Sequence, residues 1–431
     1  MARDVLELAD RLWRGEIDTA ELHPVSGFVS EATEVATGVA FVSSFANVSA
    51  FDSDDGLVLV DTGSSFVASG VHETLRKWSP RRLHTAIYSH GHIDHVFGVG
   101  VWEEESSAQG WPGPVVVAHD AVPARFDRYI ATAGYNEVIN QRQFGVPGLR
   151  WPTQYRYPDR TYAHHLELEV GGVALELHHA RGETDDHTWT WVPGARVLCC
   201  GDLFIWASPN AGNPQKVQRY PREWAIALRE MTTLGAEVLL PGHGFPVVGS
   251  ARVHQALTDT ADLLDSLVDQ TLELMNAGAR LDEVLHSVVA PARLMDRPYL
   301  RPVYDEPEFV VRNVWRLYGG WWDGNPASLK PAPESVLAGE LAALAGGAGA
   351  LADRALELVE SPPEGTDPAL SLRLAGHLAE LAALAAPSDP AIHRVRAEVF
   401  TRLSQTATST MAKGVFTWTA GESRGRAGHP D

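Results

Sequence analysis

The sequence predicts an α/β domain followed by an all-helical domain. Between residues 30 and 250, short β-rich runs alternate with helix-forming segments, and several runs end in polar, glycine-containing loops. After about residue 250, apolar residues recur at helical spacing, and Ala- and Leu-rich segments run from Ser335 to Ala386. Because an α/β domain gathers such loops at one edge of its sheet, a functional site is expected there.

The β-rich runs of the first part are separated by turns or helices. They are "GVAFVSSF", "NVSAF", "GLVLVDTG", "LHTAIYSHGH", "PVVVAHD", "GVALELHHA", "ARVLCCGDLF" and "EVLLPGHG". One helix is predicted over Phe66 to Trp78, and another over "PREWAIALREMTTLG", with Pro221 in its first turn. Residues 136–165 are rich in Arg, Tyr, Trp and Pro and have little periodicity, so a long functional insertion is predicted there.

The helical part begins with a single apolar stripe. Its spacing predicts a helix from His254 to Met275, which Gly278 ends. We therefore place the α/β domain at residues 1–250 and the helical domain at residues 251–423. Residues 424–431, "RGRAGHPD", are predicted to form a disordered tail.

Composition restricts the classes of function. The chain has 431 residues and a formal charge of −20, from 35 basic and 55 acidic side chains. Such a charge opposes binding to nucleic acid or anionic lipid and favours small-molecule substrates. The two cysteines, Cys199 and Cys200, lie in an apolar run and are predicted to be buried thiols. No run approaches the roughly 20 apolar residues of a membrane span, and a cytoplasmic location is expected.

The stretch "YSHGHIDHVFGV", Tyr88 to Val99, has the most unusual composition in the chain. Four side chains of metal-ligand type fall within six consecutive positions, namely His90, His92, Asp94 and His95. At the end of a strand, the two histidines at alternate positions point the same way, and the following turn re-aims the other two side chains. One segment could therefore offer ligands to two metal ions.

A zinc site also needs ligands from elsewhere in the chain. Three glycine-containing turns beside strands offer His187 in "ARGETDDHTWTW", Asp202 in "LCCGDLF" and His243 in "LLPGHGFP". Together with Asp61 at the end of a strand, the order and setting of these residues resemble the metallo-β-lactamase superfamily over roughly residues 30–250. The resemblance implies an αββα sandwich as the catalytic domain.

The resemblance also implies two Zn²⁺ ions per chain. One would be held by His90, His92 and His187, and the other by Asp94, His95 and His243. Asp202 would bridge the two ions, and Asp61 would orient a ligand histidine.

The helical part resembles the dimerisation domain of the alkyl sulfatase branch over roughly residues 254–423. The matching segments are "GGWWDGNPASL", Gly319 to Leu329, and helix pairs that end in "TSTMAKGVFTWTAGES". This implies a homodimer. The branch usually carries a lipid-carrier-like domain after this one, and the chain is expected to lack it. The branch also uses glutamates where this chain has His187 and Asp202, positions that are closer here to the general hydrolases of the superfamily.

The implied activity is that of a zinc-dependent hydrolase. A metal-bridging hydroxide, oriented by Asp94 and held by the ions that Asp202 bridges, would attack an ester-like bond. The leading substrate is a sulfate ester of an alkyl alcohol, an anionic and amphiphilic small molecule. Basic and amide side chains that follow the bridging carboxylate are the predicted anion clamp, namely Asn210, Asn213, Lys216 and Arg219.

Other functions remain open at this point. The same fold hydrolyses lactams, lactones and thioesters, and iron-containing members such as persulfide dioxygenases use similar ligands, so metal analysis is needed to separate iron from zinc. A nuclease is disfavoured by the charge and by the lack of a basic patch. A dimeric binding protein with a relict site is disfavoured because such a protein has no need for seven placed ligands.

Overall fold

The computed structural model describes residues 4–26 and 29–428 of the chain. These residues form two compact units. One comprises the chain up to Ala133 together with Trp151–Trp321, and the other comprises Gly134–Arg150 together with the chain from Trp322 onward. Both β-sheets belong to the first unit, and the second unit is helical.

The first sheet has seven strands in sequential order, β1 to β7. Their bounds are Thr33–Ala36, Val39–Val42, Val48–Ser53, Gly56–Val60, Leu83–Ile87, Val115–His119 and Arg160–Tyr162. The first four strands pair antiparallel, and β4, β5, β6 and β7 pair parallel. Parallel neighbours end at the same edge of a sheet, so the loops after β4 and β5 meet there.

The second sheet has six strands in the order β13-β12-β11-β10-β9-β8. From β8 to β13 their bounds are His165–Val170, Val173–Ala180, His187–Val192, Val197–Gly201, Val238–Pro241 and Val247–Val248. The pair β11 and β12 is parallel and the other pairs are antiparallel. The loops after β11 and β12 therefore also meet at one edge.

Helices cover the outer faces of the two sheets. In chain order α1 to α5 are Val5–Trp13, Ala68–Trp78, Ile93–Val96, Val99–Gln109 and Val122–Ala131, and α7 to α11 are Pro221–Thr232, Ser250–Asn276, Leu281–Ser287, Ala292–Met295 and Pro307–Gly319. Buried Leu75 and Trp102 cover the outer face of the first sheet, where they meet Leu59. A larger core joins the facing sheet surfaces to α7 and α8. The αββα sandwich predicted from the sequence is therefore confirmed.

The long helix α8 belongs to the sandwich. Its buried side chains Leu257 and Leu264 share one core with Trp224 and Leu228 of α7. The compact units consequently do not divide at residue 250, because the apolar stripe that the sequence analysis placed in the helical domain packs against the α/β core. The same applies to the helices up to α11, which also belong to the first unit.

The second unit contains the remaining helices. These are α6 and α12 to α17, with bounds Ala133–Phe144, Pro326–Leu329, Glu334–Ala345, Ala348–Glu360, Pro368–Ala385, Pro390–Thr406 and Thr410–Arg426. Two small cores hold α14, α15 and α16 together, one around Leu351 and Ile392 and the other around Leu358 and Val399. An all-helical unit after the sandwich confirms the second half of the fold prediction.

The structure adds detail to two local predictions. Residues 136–165 were predicted to be a long insertion with little periodicity, and α6 occupies the first part of this segment and β7 part of the remainder. The predicted tail at 424–431 overlaps the last turn of α17, which ends at Arg426, and its residues 429–431 lie outside the described part of the chain.

Within residues 4–26 and 29–428, no single helix has the length and apolar composition needed to cross a membrane. The helices α13 and α14 reach that composition only when they are counted together, and an angle of 83° separates them.

Gly98, the residue directly before α4, provides a stability test with a matched control. A Cβ atom on Gly98 would lie 1.8 Å from the backbone oxygen of Thr62, whereas a Cβ on Gly100, in the first turn of α4, would have no neighbour within 4 Å. Overpacking at Gly98→Ala should lower the free energy of unfolding by about 1–3 kcal/mol or more. Gly100→Ala should raise it by up to about 1 kcal/mol, because alanine favours the helix. Urea unfolding of the two variants checks this, and equal midpoints would contradict the described packing.

Candidate metal centre

The loop after β5 places four ligand-type side chains at one edge of the sheet. Residues Tyr88–His92 connect the strand to α3, a single helical turn that begins after His92. Within this turn His95 contacts His90, because the centroids of the two rings are 4.3 Å apart. Gly91 has no room for a side chain, because a Cβ atom there would lie 2.8 Å from Cδ of Arg125.

The first ligand group combines His90 and His92 with Glu183 and Asp202. Glu183 Oε2 lies 3.4 Å from His90 Nε2 and 3.4 Å from His92 Nδ1, and the two imidazole nitrogens are 2.8 Å apart. Asp202 Oδ2 lies 3.9 Å from His90 Nε2. All four side chains offer a nitrogen or oxygen atom towards one point, as the ligands of a zinc ion do.

The second ligand group consists of Asp94, His95 and His243. Asp94 Oδ2 lies 3.6 Å from His95 Nε2 and 3.4 Å from His243 Nε2. Asp202 also reaches this group, because its Oδ1 is 3.4 Å from His95 Nε2 and its Oδ2 is 3.3 Å from His243 Nε2. Asp202 thus contacts imidazoles of both groups.

Residues around the ligands fix the orientation of their rings. Asp61 Oδ2 lies 2.7 Å from His95 Nδ1, and the same carboxylate accepts hydrogen bonds of 2.7 Å from the backbone N–H and the hydroxyl of Ser89. This is the contact that the role assigned to Asp61 requires. Asp61 adopts a left-handed backbone conformation, with φ of 60°. The Nδ1 atom of His243 is held by the backbone oxygen of Phe45.

The electrostatics of the site favour bound cations. Burial alone would raise the pKa of Asp94, but His95 and His243 outweigh it and hold the pKa well below its usual range. Burial would likewise lower the pKa of His243, yet Asp202 and Asp94 raise it to about 10. Each imidazole of the second group is therefore surrounded by negative charge. A divalent ion neutralises such a carboxylate cluster more completely than protons on imidazole rings do.

Buried nitrogen and oxygen atoms that lack a hydrogen-bond partner provide a test of whether metal ions fit this site. Among the described residues, His95 Nε2, Glu183 Oε2 and Asp202 Oδ1 are buried and have no hydrogen-bond partner. Leaving such groups unpaired is costly, and all three atoms belong to the two ligand groups. The donor set of imidazoles and carboxylates is one that zinc accepts. The residues present therefore fit two divalent ions.

His187, predicted as a ligand of the first zinc, lies outside both groups. Its Nε2 accepts a hydrogen bond of 3.1 Å from the backbone N–H of Asp202, and its ring stacks on His90 with centroids 4.9 Å apart. Burial and the neighbouring His90 hold the pKa of His187 well below its usual value, which keeps the ring neutral and able to accept this bond. His187 therefore supports Asp202 and His90 through contacts with each.

Glu183 lies in the first ligand group, for which the sequence analysis had predicted His187. It follows Gly182 in the loop between β9 and β10, four residues before His187. That glycine is needed, because a Cβ atom there would lie 2.4 Å from Cδ2 of Leu203. The available signal was the glutamate of the branch's ligand set, which the short stretch "GETDDH" supplies.

A buried ion pair holds the loop that carries Glu183. Arg125 Nε lies 2.8 Å from Asp186 Oδ2, and the same oxygen accepts a hydrogen bond of 3.0 Å from the backbone N–H of Gly91. Arg125 also contacts Asp185. The pair therefore connects the loop of Glu183 to the peptide between His90 and His92.

The four residues of the predicted anion clamp have different surroundings. Asn210 donates to Glu183 Oε1, and Arg219 Nη2 lies 3.5 Å from the same oxygen. Arg219 is fully buried and also donates to the backbone oxygen of Val217. Asn213 accepts a hydrogen bond of 3.0 Å from the backbone N–H of Gln215, which shapes a turn. Asn210 and Arg219 thus position the side chain of Glu183, and Asn213 shapes the loop that contains it.

Lys216 is the clamp residue that best suits contact with a substrate. Its Nζ lies 5.6 Å from the centre of the Trp151 ring, and the side chain is half-buried. Burial and the nearby Arg219 lower the pKa of Lys216 to about 7, although Asp94 and Glu183 act in the opposite direction. A cation beside an aromatic ring offers both charge and apolar surface to an amphiphilic anion.

Measuring the metal content of variants tests whether Glu183 or His187 is a ligand of the first ion. Glu183→Gln should lower the zinc content after dialysis by about one ion per chain, because a neutral amide is a poor zinc ligand. His187→Gln retains an acceptor for the Asp202 N–H and should keep more zinc than Glu183→Gln. Arg181→Gln, at an exposed position of the same loop, is the control and should keep the full content. Loss of zinc from His187→Gln, with full zinc content in Glu183→Gln, would show that His187 is the ligand, as the sequence analysis predicted.

Comparisons with known proteins agree with both halves of the fold. The family model of the metallo-beta-lactamase superfamily matches residues 43–243, and that of alkyl sulfatase dimerisation matches residues 280–426. The structure is similar to that of the stereoselective inverting sec-alkylsulfatase Pisa1 from Pseudomonas sp., with a TM-score of 0.81 and 24% identity. That match covers 93% of this chain and 66% of the other. At this identity the likeness establishes the fold.

Curated relatives are alkylsulfatases. The linear primary-alkylsulfatase of a Pseudomonas sp. is 26% identical over 322 residues, which cover 69% of this chain and 60% of that protein. The (R)-specific secondary-alkylsulfatase of a Pseudomonas sp. is 28% identical over 314 residues, which cover 67% of this chain and 47% of that protein. The chain therefore spans less than two thirds of the length of either relative.

The two family models occur in the same order as the sandwich and the helical unit. Residues 43–243 belong to the metallo-β-lactamase superfamily, and residues 280–426 belong to the alkyl sulfatase dimerisation family.

Proposed function

We propose that this protein is a dinuclear zinc hydrolase that cleaves sulfate esters of alkyl alcohols. The observation that carries the proposal is the position of Asp202, within 3.9 Å of His90 and within 3.4 Å of both His95 and His243. A carboxylate placed in this way suits a bridge between two ions. Two zinc ions held there would lower the pKa of a bound water and polarise the ester group.

The residues of the site suit the separate tasks of such a reaction. His90, His92 and Glu183 would hold one ion, and Asp94, His95 and His243 the other. Asp94 is ionised because neighbouring imidazoles lower its pKa, so it can accept a hydrogen bond from water and orient it. These roles differ from the sequence analysis only in the exchange of His187 for Glu183.

A sulfate ester is favoured over other esters by two features. The curated relatives are named as alkylsulfatases, and Lys216 offers a cation beside Trp151 at the edge of the site. Glu183 also supplies one of the two glutamates that the alkyl sulfatase branch uses. The other position remains an aspartate, Asp202, as in the general hydrolases of the superfamily. Hydrolysis of a lactam, lactone or thioester is therefore the second candidate.

We also propose that the metal is zinc and that the protein is cytoplasmic.

We expect purified protein to contain about two zinc ions per chain, because two ligand groups share one bridging carboxylate. Asp202→Ala should lower both the metal content and the turnover of an alkyl sulfate by orders of magnitude. Metal quantification and initial rates check this. Iron in place of zinc, with turnover that consumes oxygen, would show that the protein is not a hydrolase.

Substitutions at Lys216 and Arg219 should have different effects on specificity. Lys216→Met removes a charge beside the site and should lower kcat/KM for an alkyl sulfate by about 30- to 160-fold, which corresponds to the loss of about 2–3 kcal/mol from a hydrogen bond to a charged group. Neutral esters should lose much less, and Lys216→Arg should retain most of the activity. Arg219→Ala removes a contact to Glu183, so it should impair all substrates and lower the metal content.

Rates on matched sulfate, carboxylic ester, lactone and thioester substrates separate these outcomes. Equal losses on charged and neutral substrates in Lys216→Met would mean that this lysine is structural. Wild-type protein that hydrolyses a lactam or thioester but no sulfate ester would establish the second candidate.

A homodimer formed through the helical region is also proposed. The dimerisation family model covers residues 280–426, and α13 carries the exposed apolar side chains Val336, Leu337 and Leu344. Exposed apolar groups on one helix are typical of a surface that a partner covers.

Light scattering should therefore give twice the mass of the chain. Leu337→Glu combined with Leu344→Glu should shift the protein towards the monomer, because charges at an apolar interface are costly. Ile226→Glu, at an exposed apolar position on α7, is the control and should leave the mass unchanged. A wild-type monomer at micromolar concentration would contradict the dimer.

A further inference from the structure

A third cluster of ligand-type residues lies on the hairpin formed by β8 and β9. It consists of His165, Glu176 and His178, and shares no residue with the two ligand groups of the candidate metal centre. The strand register places His165 directly opposite His178. Glu176 lies two residues before His178, so both side chains project from the same face of β9. The β8 strand is at the edge of its sheet.

The distances within this cluster match those of a metal site. One ligand atom from each side chain lies within 4.8 Å of the others, and the two imidazole centroids are 4.5 Å apart. Glu176 Oε2 is 3.6 Å from His178 Nε2. Two ligands at zinc distances of about 2.0–2.1 Å, at a tetrahedral angle, are separated by about 3.4 Å. The side chains are therefore spaced for one shared ion.

Packing alone does not explain the His178 side chain. Its ring stacks on Trp189 of β10, with centroids 3.9 Å apart and an angle of 8° between the planes. This contact fixes the ring, and Nε2 is buried with no hydrogen-bond partner among the described residues. A buried nitrogen with no hydrogen-bond partner, and with a carboxylate oxygen 3.6 Å away, is the arrangement expected of a ligand.

We propose that His165, Glu176 and His178 bind a first-row transition metal dication such as Zn²⁺, Ni²⁺ or Cu²⁺. Two neutral imidazoles and one carboxylate suit these ions, whereas Ca²⁺ and Mg²⁺ require mainly oxygen ligands. His165 is exposed, so water can complete the coordination. The bound ion joins the edge strand β8 to β9, and it does so independently of the proposed hydrolysis.

Copper binding to the chain, first loaded with two equivalents of zinc, tests the proposal. Wild-type protein should bind one Cu²⁺ per chain at this site, with an electron paramagnetic resonance signal that shows coupling to imidazole nitrogen. His165→Ala and Glu176→Gln should each weaken this binding at least about tenfold, since loss of a ligand costs no less than loss of a residue that supports one. His164→Ala removes the adjacent exposed histidine and should bind as the wild type does.

Two further measurements separate this site from the candidate metal centre. In an Asp202→Ala background the same Cu²⁺ ion should still bind, so failure of the proposed function leaves this result unaffected. Cu²⁺ on His178 lies beside Trp189 and should quench its fluorescence, and Trp189→Phe should reduce the quenched amplitude while keeping the ion. Equal Cu²⁺ affinity in wild type and His165→Ala, with native circular dichroism in both, would overturn the proposal.

Discussion

The site depends on how closely the backbone approaches the carboxylate of Asp202. Gly242 lies beside it, and a Cβ atom there would be 2.0 Å from Asp202 Oδ1. Gly242 also donates a backbone hydrogen bond of 2.7 Å to Gly201, which joins the ends of β11 and β12. Because the two parallel strands end side by side, one short carboxylate can reach imidazoles from both ligand groups. A larger residue at position 242 would displace the side chain on which both groups converge.

Much of this arrangement follows from sequence order. The apolar runs predicted the strands, and the strand ends predicted where Asp61, Asp202 and His243 would lie. The segment from His90 to His95 could be recognised because its residue types are rare at that density. These features are local, and local sequence patterns determine them.

Other features depended on contacts between distant segments. Glu183 lies in the loop between β9 and β10, and His187 is the first residue of β10. Only the three-dimensional structure shows that Glu183 faces the ligand histidines, while His187 accepts a hydrogen bond from the Asp202 N–H. The apolar stripe of α8 predicted that one face of this helix is buried. It did not predict that this face packs against the core of the sandwich. Arg219 was recognised as basic, yet its partner Glu183 lies 36 residues earlier in the chain, so a structural pairing could not be separated from substrate binding.

The left-handed backbone of Asp61 restricts how this position can evolve. Residues other than glycine seldom adopt a φ of 60°, and aspartate and asparagine tolerate it best. Glycine would relieve the backbone but would leave His95 Nδ1 and both Ser89 donors without their acceptor. Asparagine would keep the conformation but would lose the negative charge beside His95. Drift at this position is therefore limited by two independent requirements, and only aspartate satisfies both.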